Sequence, residues 1–119
     1  MFRRVCTVHH SGYGHTARQA AAVAEGVRTV DDVACIELTV ADLAGCPARM
    51  LWVNLNLLPG NNSAAGSVED LNRLGASLGA RAQSNVDQGP EHGPPEADLE
   101  TARRLGQRAA ECAVRWIRE

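Results

Sequence analysis

The sequence has no apolar run of the length that a membrane-crossing helix needs, which excludes a span of that kind. It opens Met-Phe-Arg-Arg and then turns mixed, without the long apolar stretch of a signal peptide, so the reading is a cytoplasmic protein. It has no excess of positive charge: the formal net charge is -2, and nucleic acid is not an expected partner. It has no C-x-x-C pair, and Cys6, Cys35, Cys46 and Cys112 stand away from histidines in any metal-ligand spacing. The cysteines read as buried free thiols. His9 and His10 are neighbours at a strand end and point opposite ways, so they make a poor ligand pair. No metal site is expected, nothing supports a Ser-His-Asp or Cys-His arrangement, and no residue is singled out as catalytic. There is no internal repeat, and aromatic residues make up only 3% of the chain, so each aromatic is worth placing.

What is present fits one small soluble domain: 119 residues, 45% hydrophobic and 22% charged. Phe2–Val8 reads as a strand. His9–Gly14 is polar with two glycines and reads as a loop. From Thr16 the period changes, and Ala17, Ala20, Ala21, Ala24 and Val27 recur at helical spacing up to about Gly26–Arg28. Val33–Leu38 is a second strand, preceded by an Asp31-Asp32 turn. A strand, a crossover helix and a strand make a parallel pair, and residues 1–38 form a β-loop-α-β unit.

The second unit, residues 50–119, is less regular. Met50–Leu58 reads as a third strand, and residues 59–95 as mostly loop, starting with the turn Pro59-Gly60-Asn61-Asn62. Ser67 and Asp70 have capping-box-like spacing before a short helix from Val68 to about Leu74, and Ala80–Gln83 suits a brief strand. Pro94 and Pro95, then Glu96 and Asp98, form a helix entry. Its apolar stripe is Leu99, Ala102, Gly106, Ala109, Ala113 and Trp116. Arg104, Arg108, Glu111, Arg115 and Arg118 form a solvated face, with Glu111 and Arg115 at i, i+4 spacing. Trp52 and Trp116 are expected in the core, and His92 in solvent. The fold class is α/β, an open parallel sheet of about three main strands with two main helices.

The candidate site is His10-Ser11-Gly12-Tyr13-Gly14-His15-Thr16, between the first strand and the first helix. A helix N-terminus has unpaired N–H groups and a partial positive charge, so an anion placed there satisfies both. Gly12 and Gly14 let backbone approach the anion. Ser11 and Thr16 add hydroxyls, His15 a ring nitrogen, and Tyr13 stands exposed in the loop. The ligand class stays open at this point. Gly12-x-Gly14-x-x-Ala17 also fits a dinucleotide fingerprint, with Glu37 where a ribose-binding acid belongs. The hydroxyl-rich loop suits a terminal phosphate monoester.

The stretch VHHSGYGHTARQAAAVAEGV resembles the opening of the flavodoxin-like NAD(P)H:quinone oxidoreductases of the WrbA family. MLWVNLNLLPGNNSAAGSVEDLNRLGASLGARAQSNVDQGP and PPEADLETARRLGQRAAECA resemble its C-terminal part. The resemblance implies a flavodoxin-like fold, FMN as cofactor, NAD(P)H as electron donor and a small-molecule quinone as acceptor. It implies that Ser11, Gly12, Tyr13, Gly14, His15 and Thr16 hold the FMN phosphate, with Tyr13 also near the nicotinamide.

The chain departs from the family between its second strand and MLWV. Family members have two more strands there, whose loops cradle the isoalloxazine ring, one of Pro-Thr-x-x-Gly character and one rich in Ser and Gly. This chain passes directly through IELTVADLAGCPAR, and Ala48-Arg49 stands where the family usually has His-Gly. The flavodoxin-like sheet is therefore shortened. The residues from Thr39 to Arg49 can span a crossover at roughly 3.3 Å each when extended, but leave little room for a covering helix. One sheet face is expected to be poorly covered, with marginal stability or rescue by self-association as a homo-oligomer.

Overall fold

In the computed structural model, residues 3–45 and 51–116 are described. Strand β1 (Arg3–His9) and strand β2 (Val33–Thr39) pair in parallel, in register from Arg3 opposite Val33 to His9 opposite Thr39. Helix α1 (His15–Arg28) is their crossover. The β-branched Val5, Thr7 and Val8 favour the extended chain, and the alanine-rich run after Thr16 favours the helix. Thr29 ends α1, its hydroxyl donating to the Gly26 carbonyl at 2.8 Å. The expected Asp31-Asp32 turn is there, with Asp32 in the left-handed region at φ 63°, which a short polar side chain tolerates.

β2 runs into a 3-10 turn at Val40–Gly45. The Asp42 carboxylate organises it, accepting from the Thr39 hydroxyl at 2.6 Å and the Thr39 N–H at 3.1 Å. The hydroxyl first, and the amide second, hold the Asp42 carboxyl below the usual carboxylate range. The expected strand end at Leu38 therefore moves to Thr39.

Helix α2 (Glu96–Trp116) follows the double proline as expected, with the N–H groups of Asp98 and Leu99 both donating to the Pro95 carbonyl. It lies along α1 so closely that two glycines are required. A Cβ on Gly26 would run into the Arg103 carbonyl, and one on Gly106 into the Val23 carbonyl. Small side chains line this seam: Ala20, Ala24 and Val27 from α1, and Ala102 and Gly106 from α2 are all buried. Ala22, Leu99 and Ala102 make the central cluster, with Val23 and Ala80 against it. Arg103 bridges the helices outside, reaching Glu25 and Glu96 at 2.6 Å each.

The far end of the α2 stripe differs from expectation. Ala110 is buried in place of Ala109, and Trp116 is 67% exposed. α2 has 21 residues and α1 only 14, so α2 runs on for about 10 Å without α1 beside it. The charged face also differs at one position. The Arg108 guanidinium donates to the Asn54 carbonyl at 2.9 Å and to its side-chain oxygen at 3.1 Å, tying the loop to the helix. Arg104 and Arg115 are exposed as expected, Glu111 takes a hydrogen bond from Gln107, and Arg118 lies outside the described residues.

Three expected elements between 50 and 83 are absent as regular structure. Met50 is outside the described residues, and 51–58 form no strand. The alternation that suggested a strand is real: Leu55 is buried and Val53 and Leu57 half-buried, whereas Trp52, Asn54 and Leu58 are exposed. What the segment lacks is a neighbouring strand, and Asn56 breaks the extended run at φ 51°. Its backbone is met singly, with the Leu55 N–H donating to the Ser77 carbonyl at 3.2 Å. Trp52 is not a core residue. It is 70% exposed, and its ring N–H donates to the Leu78 carbonyl.

The Ser67/Asp70 box does form: Asp70 accepts the Ser67 N–H at 2.7 Å, and the Ser67 hydroxyl accepts from Glu69. The chain then continues as turns through Leu74 instead of a helix, with Asn72 at φ 52°. Residues 80–83 are irregular. Ala80 accepts from Gln19, and the Gln83 N–H donates to Asp98.

The sheet accordingly has two strands among the described residues, and no strand residue is fully buried. Cys6, Cys35 and Cys112 are half-buried, short of the full burial expected, and Cys46 lies outside the described residues. Burial pushes the Cys35 thiol up from its ordinary value. No helix among the described residues is long and apolar enough to cross a membrane.

Candidate functional site

The loop from β1 to α1 turns on Gly14, which caps the helix from the left-handed region at φ 89°. Glycine is needed there twice over. An L side chain would be strained at that φ, and its Cβ would meet the Pro90 ring at 3.0 Å. Ser11 closes the loop: its hydroxyl oxygen accepts the Gly14 N–H at 2.9 Å, leaving the hydroxyl proton to donate elsewhere. Nothing lies within 4 Å of where a Gly12 Cβ would sit, so the loop is open on that side. Tyr13 is 81% exposed and Thr16 is exposed beyond it.

Helix α1 starts at His15, with no side-chain cap bond and no acidic residue in its first turn. The positive end of its dipole therefore has no internal counter-charge from that turn. The first backbone-to-backbone helical bond is from the Arg18 N–H to the Gly14 carbonyl, at 3.0 Å. The N–H groups of His15, Thr16 and Ala17 precede it and have no carbonyl one turn back within the helix. Nδ1 of His9 and Nε2 of His15 are buried without a hydrogen-bond partner. Buried polar atoms of this kind are normally satisfied, and Nε of Arg3, at the other end of β1, is unpartnered as well. A terminal phosphate, with several acceptor oxygens, suits an open side next to unpaired N–H groups and hydroxyls.

The sequence reading missed the second wall of this loop. The Arg18 guanidinium donates to the Pro90 carbonyl at 2.6 Å and to the Gly93 carbonyl at 3.4 Å. These bonds lay the 90–93 segment over Gly14. Arg18 is one turn beyond Gly14 on the exposed side of α1, where it reads as a solvated charge. Nothing local points to a partner 72 residues away. Behind the wall, Gly93 packs on Ser84, and His92 faces solvent beside Glu91 as expected.

Glu37, the candidate ribose acid, is engaged. It accepts from the Arg28 guanidinium at 2.6 Å, and that hydrogen bond raises the Arg28 pKa.

No protein-family model matches the chain. Over 60 residues, half of the chain, it is 45% identical to flavodoxin FldP of Pseudomonas aeruginosa (strain UCBPP-PA14). The match takes in 32% of that protein, so the chain spans about a third of the length of this relative. With the parallel pair, the crossover helix and the second packed helix, the fold is a shortened flavodoxin-like one.

Proposed function

We propose that this chain is an FMN-binding protein that holds the terminal phosphate of the cofactor in the loop Ser11–Thr16. The observation that carries the reading is the start of α1, which has no side-chain cap bond and is open on the Gly12 side, with the unpartnered Nε2 of His15 in its first turn. The N–H groups of the first helical turn, the hydroxyls of Ser11 and Thr16 and the His15 ring would hold the phosphate. Gly12 gives it room. The likeness to a protein named a flavodoxin supports FMN as the group carried.

The narrower reading is a WrbA-type NAD(P)H:quinone oxidoreductase. Bound FMN supplies two-electron transfer from NAD(P)H to a quinone. The chain's own part is to anchor the phosphate, with Tyr13 exposed beside the anchor for the nicotinamide. Contacts to the isoalloxazine ring come in that family from strands and loops that this sequence replaces with the short 39–49 connection. We propose that self-association supplies the missing cover. The two strands each have one ladder neighbour and no fully buried residue, which supports it. A cytoplasmic protein is proposed, in keeping with the half-buried free thiols of Cys35 and Cys112.

A dinucleotide reading is disfavoured by two observations: Pro90 occupies the approach to Gly14 that a pyrophosphate needs, and Glu37 is paired with Arg28. A non-catalytic phosphate module is the remaining rival, favoured by a phosphate loop whose proposed donors all lie within Ser11–Thr16 and Ala17. Thermal shift with FMN, riboflavin, NADP and inorganic phosphate separates them. FMN is expected to stabilise the protein more than phosphate does. Equal shifts from FMN and phosphate, with none from riboflavin, select the phosphate module. Colourless protein indifferent to saturating FMN sinks the flavin reading. Sedimentation on the same sample tests self-association, which a monomer at micromolar concentration would rule out.

A further inference from the structure

We propose that Arg18 is a positioning residue of the phosphate loop, and that by seating Pro90 on Gly14 it makes the site selective for a single terminal phosphate over a pyrophosphate. The inference rests on the phosphate reading of Ser11–Thr16.

The chain of contacts is short. Arg18 leaves α1 one turn after its N-cap and donates through the same nitrogen to the carbonyls of Pro90 and Gly93. A guanidinium bonded to carbonyls makes charge-assisted bonds, stronger than neutral ones. These two bonds bring a segment from near the far end of the chain against the loop. Pro90 then sits where any Gly14 side chain would have to go.

Two consequences follow. First, Gly14 is confined between the Ser11 hydroxyl, which takes its N–H, and the Pro90 ring. Its left-handed conformation sets the direction of the first-turn N–H groups of α1. An anion site whose donors are fixed before binding loses less entropy on binding, so Arg18 acts on affinity without touching the ligand. Second, the wall is one-sided. The Gly12 side is open and the Gly14 side is closed. A phosphate at the end of a ligand enters from the open side. A pyrophosphate lies along the glycine-rich turn and needs the approach to the second glycine, which Pro90 fills. Arg18 is exposed and outside the α1–α2 seam, so removing its head group spares the core.

The test uses the full chain, its Arg18→Gln, Arg18→Lys and Pro90→Gly variants, and calorimetric titration with inorganic phosphate, FMN and NAD, whose pyrophosphate is bridging. The unaltered protein is expected to bind phosphate and FMN, and NAD at least about tenfold more weakly than FMN. Arg18→Gln is expected to weaken phosphate about tenfold and to narrow the FMN-to-NAD ratio. Arg18→Lys, which keeps a charged donor, is expected to recover most of the loss. Pro90→Gly, at a half-buried position outside the α1–α2 seam, is expected to narrow the ratio with little change in melting temperature. Phosphate affinity and ligand ratio both unchanged in Arg18→Gln would overturn the positioning role and leave the phosphate reading standing. Equal weakening of all three ligands with a lowered melting temperature and no rescue by Lys would overturn it too, as a general structural role. An unaltered protein that binds neither phosphate nor FMN would overturn both.

Discussion

From Arg3 to Thr39 the backbone closes on itself, through a parallel ladder and a 14-residue helix. From Leu51 to Pro95 it has no ladder, only scattered backbone bonds such as the Gly60 N–H to the Asn72 carbonyl, and side chains hold much of the rest. Asn72, 3% exposed, uses its amide to hold the Leu57 and Ala76 carbonyls and the Ala76 N–H, while its own N–H donates to the Thr101 hydroxyl. Asp98 grips both arms of Arg73, at 2.7 and 2.8 Å, and takes the Gln83 N–H as well. That grip raises the Arg73 pKa. Arg108 holds Asn54, and Trp52 holds Leu78. The second region pairs its polar groups as burial demands, whereas the first leaves Nε of Arg3, Nδ1 of His9 and Nε2 of His15 buried without a partner. In the first, the cost of losing one bond is spread along a repeating ladder. In the second, the side chains of Asn72 and Asp98 each serve three bonds, so stability is concentrated in few residues.

Substitutions can break that contrast. Asp98→Ala is expected to have the largest effect, about 3–5 kcal/mol, because it strands the Arg73 charge and the Gln83 N–H together. Chemical denaturation measures it, and a loss under about 1 kcal/mol would end the idea of concentrated stability. Next comes the helix seam. Gly106→Ala is expected to cost about 2–3 kcal/mol by forcing α1 and α2 apart, with Gly26→Ala alike. Wild-type stability in either variant would mean that the helices do not touch there.

Asn72→Ala is expected to cost about 2 kcal/mol, with faster hydrogen exchange across 55–79 and unchanged protection in β1 and α1. Uniform loss of protection would show that the two regions are one cooperative unit. The smallest effect is set by pH. Asp42 has its folded pKa depressed, so its contribution is present above the ordinary 3.8 and is lost as pH falls through the lower folded value. Asp42→Asn is expected to remove that acid dependence at the Thr39 amide, followed by NMR.

The contrast also explains what could be read in advance. β1, α1, β2 and α2 were legible because periods of 2 and 3.6 are local properties of the residues. The Ser67/Asp70 box was legible for the same reason, and it formed even though no helix followed. The third strand was misread because alternation reports which side chains face inward, and 52–58 do alternate, whereas strand status needs a neighbour. The two tryptophans were misplaced because they sit on apolar elements, and an apolar element does not say which of its residues face the core: Leu55 and Ala110 on the same two segments are buried, Trp52 and Trp116 are not. At the site, Gly12, Gly14 and Ser11 were visible from spacing. Arg18, Pro90 and Gly93 were not, because their bonds join positions 72 and 75 residues apart.

The sequence by itself determined the parallel pair with its crossover helix, the second helix, and the glycine-rich turn at the start of α1. Each follows from preferences that act within a few residues. Only the tertiary structure decided that Gly26 and Gly106 are backbone contacts, that Asn72 and Asp98 organise the long loop, and that Arg18 draws Pro90 over Gly14. Those outcomes depend on which distant surfaces meet, and no local preference carries that information.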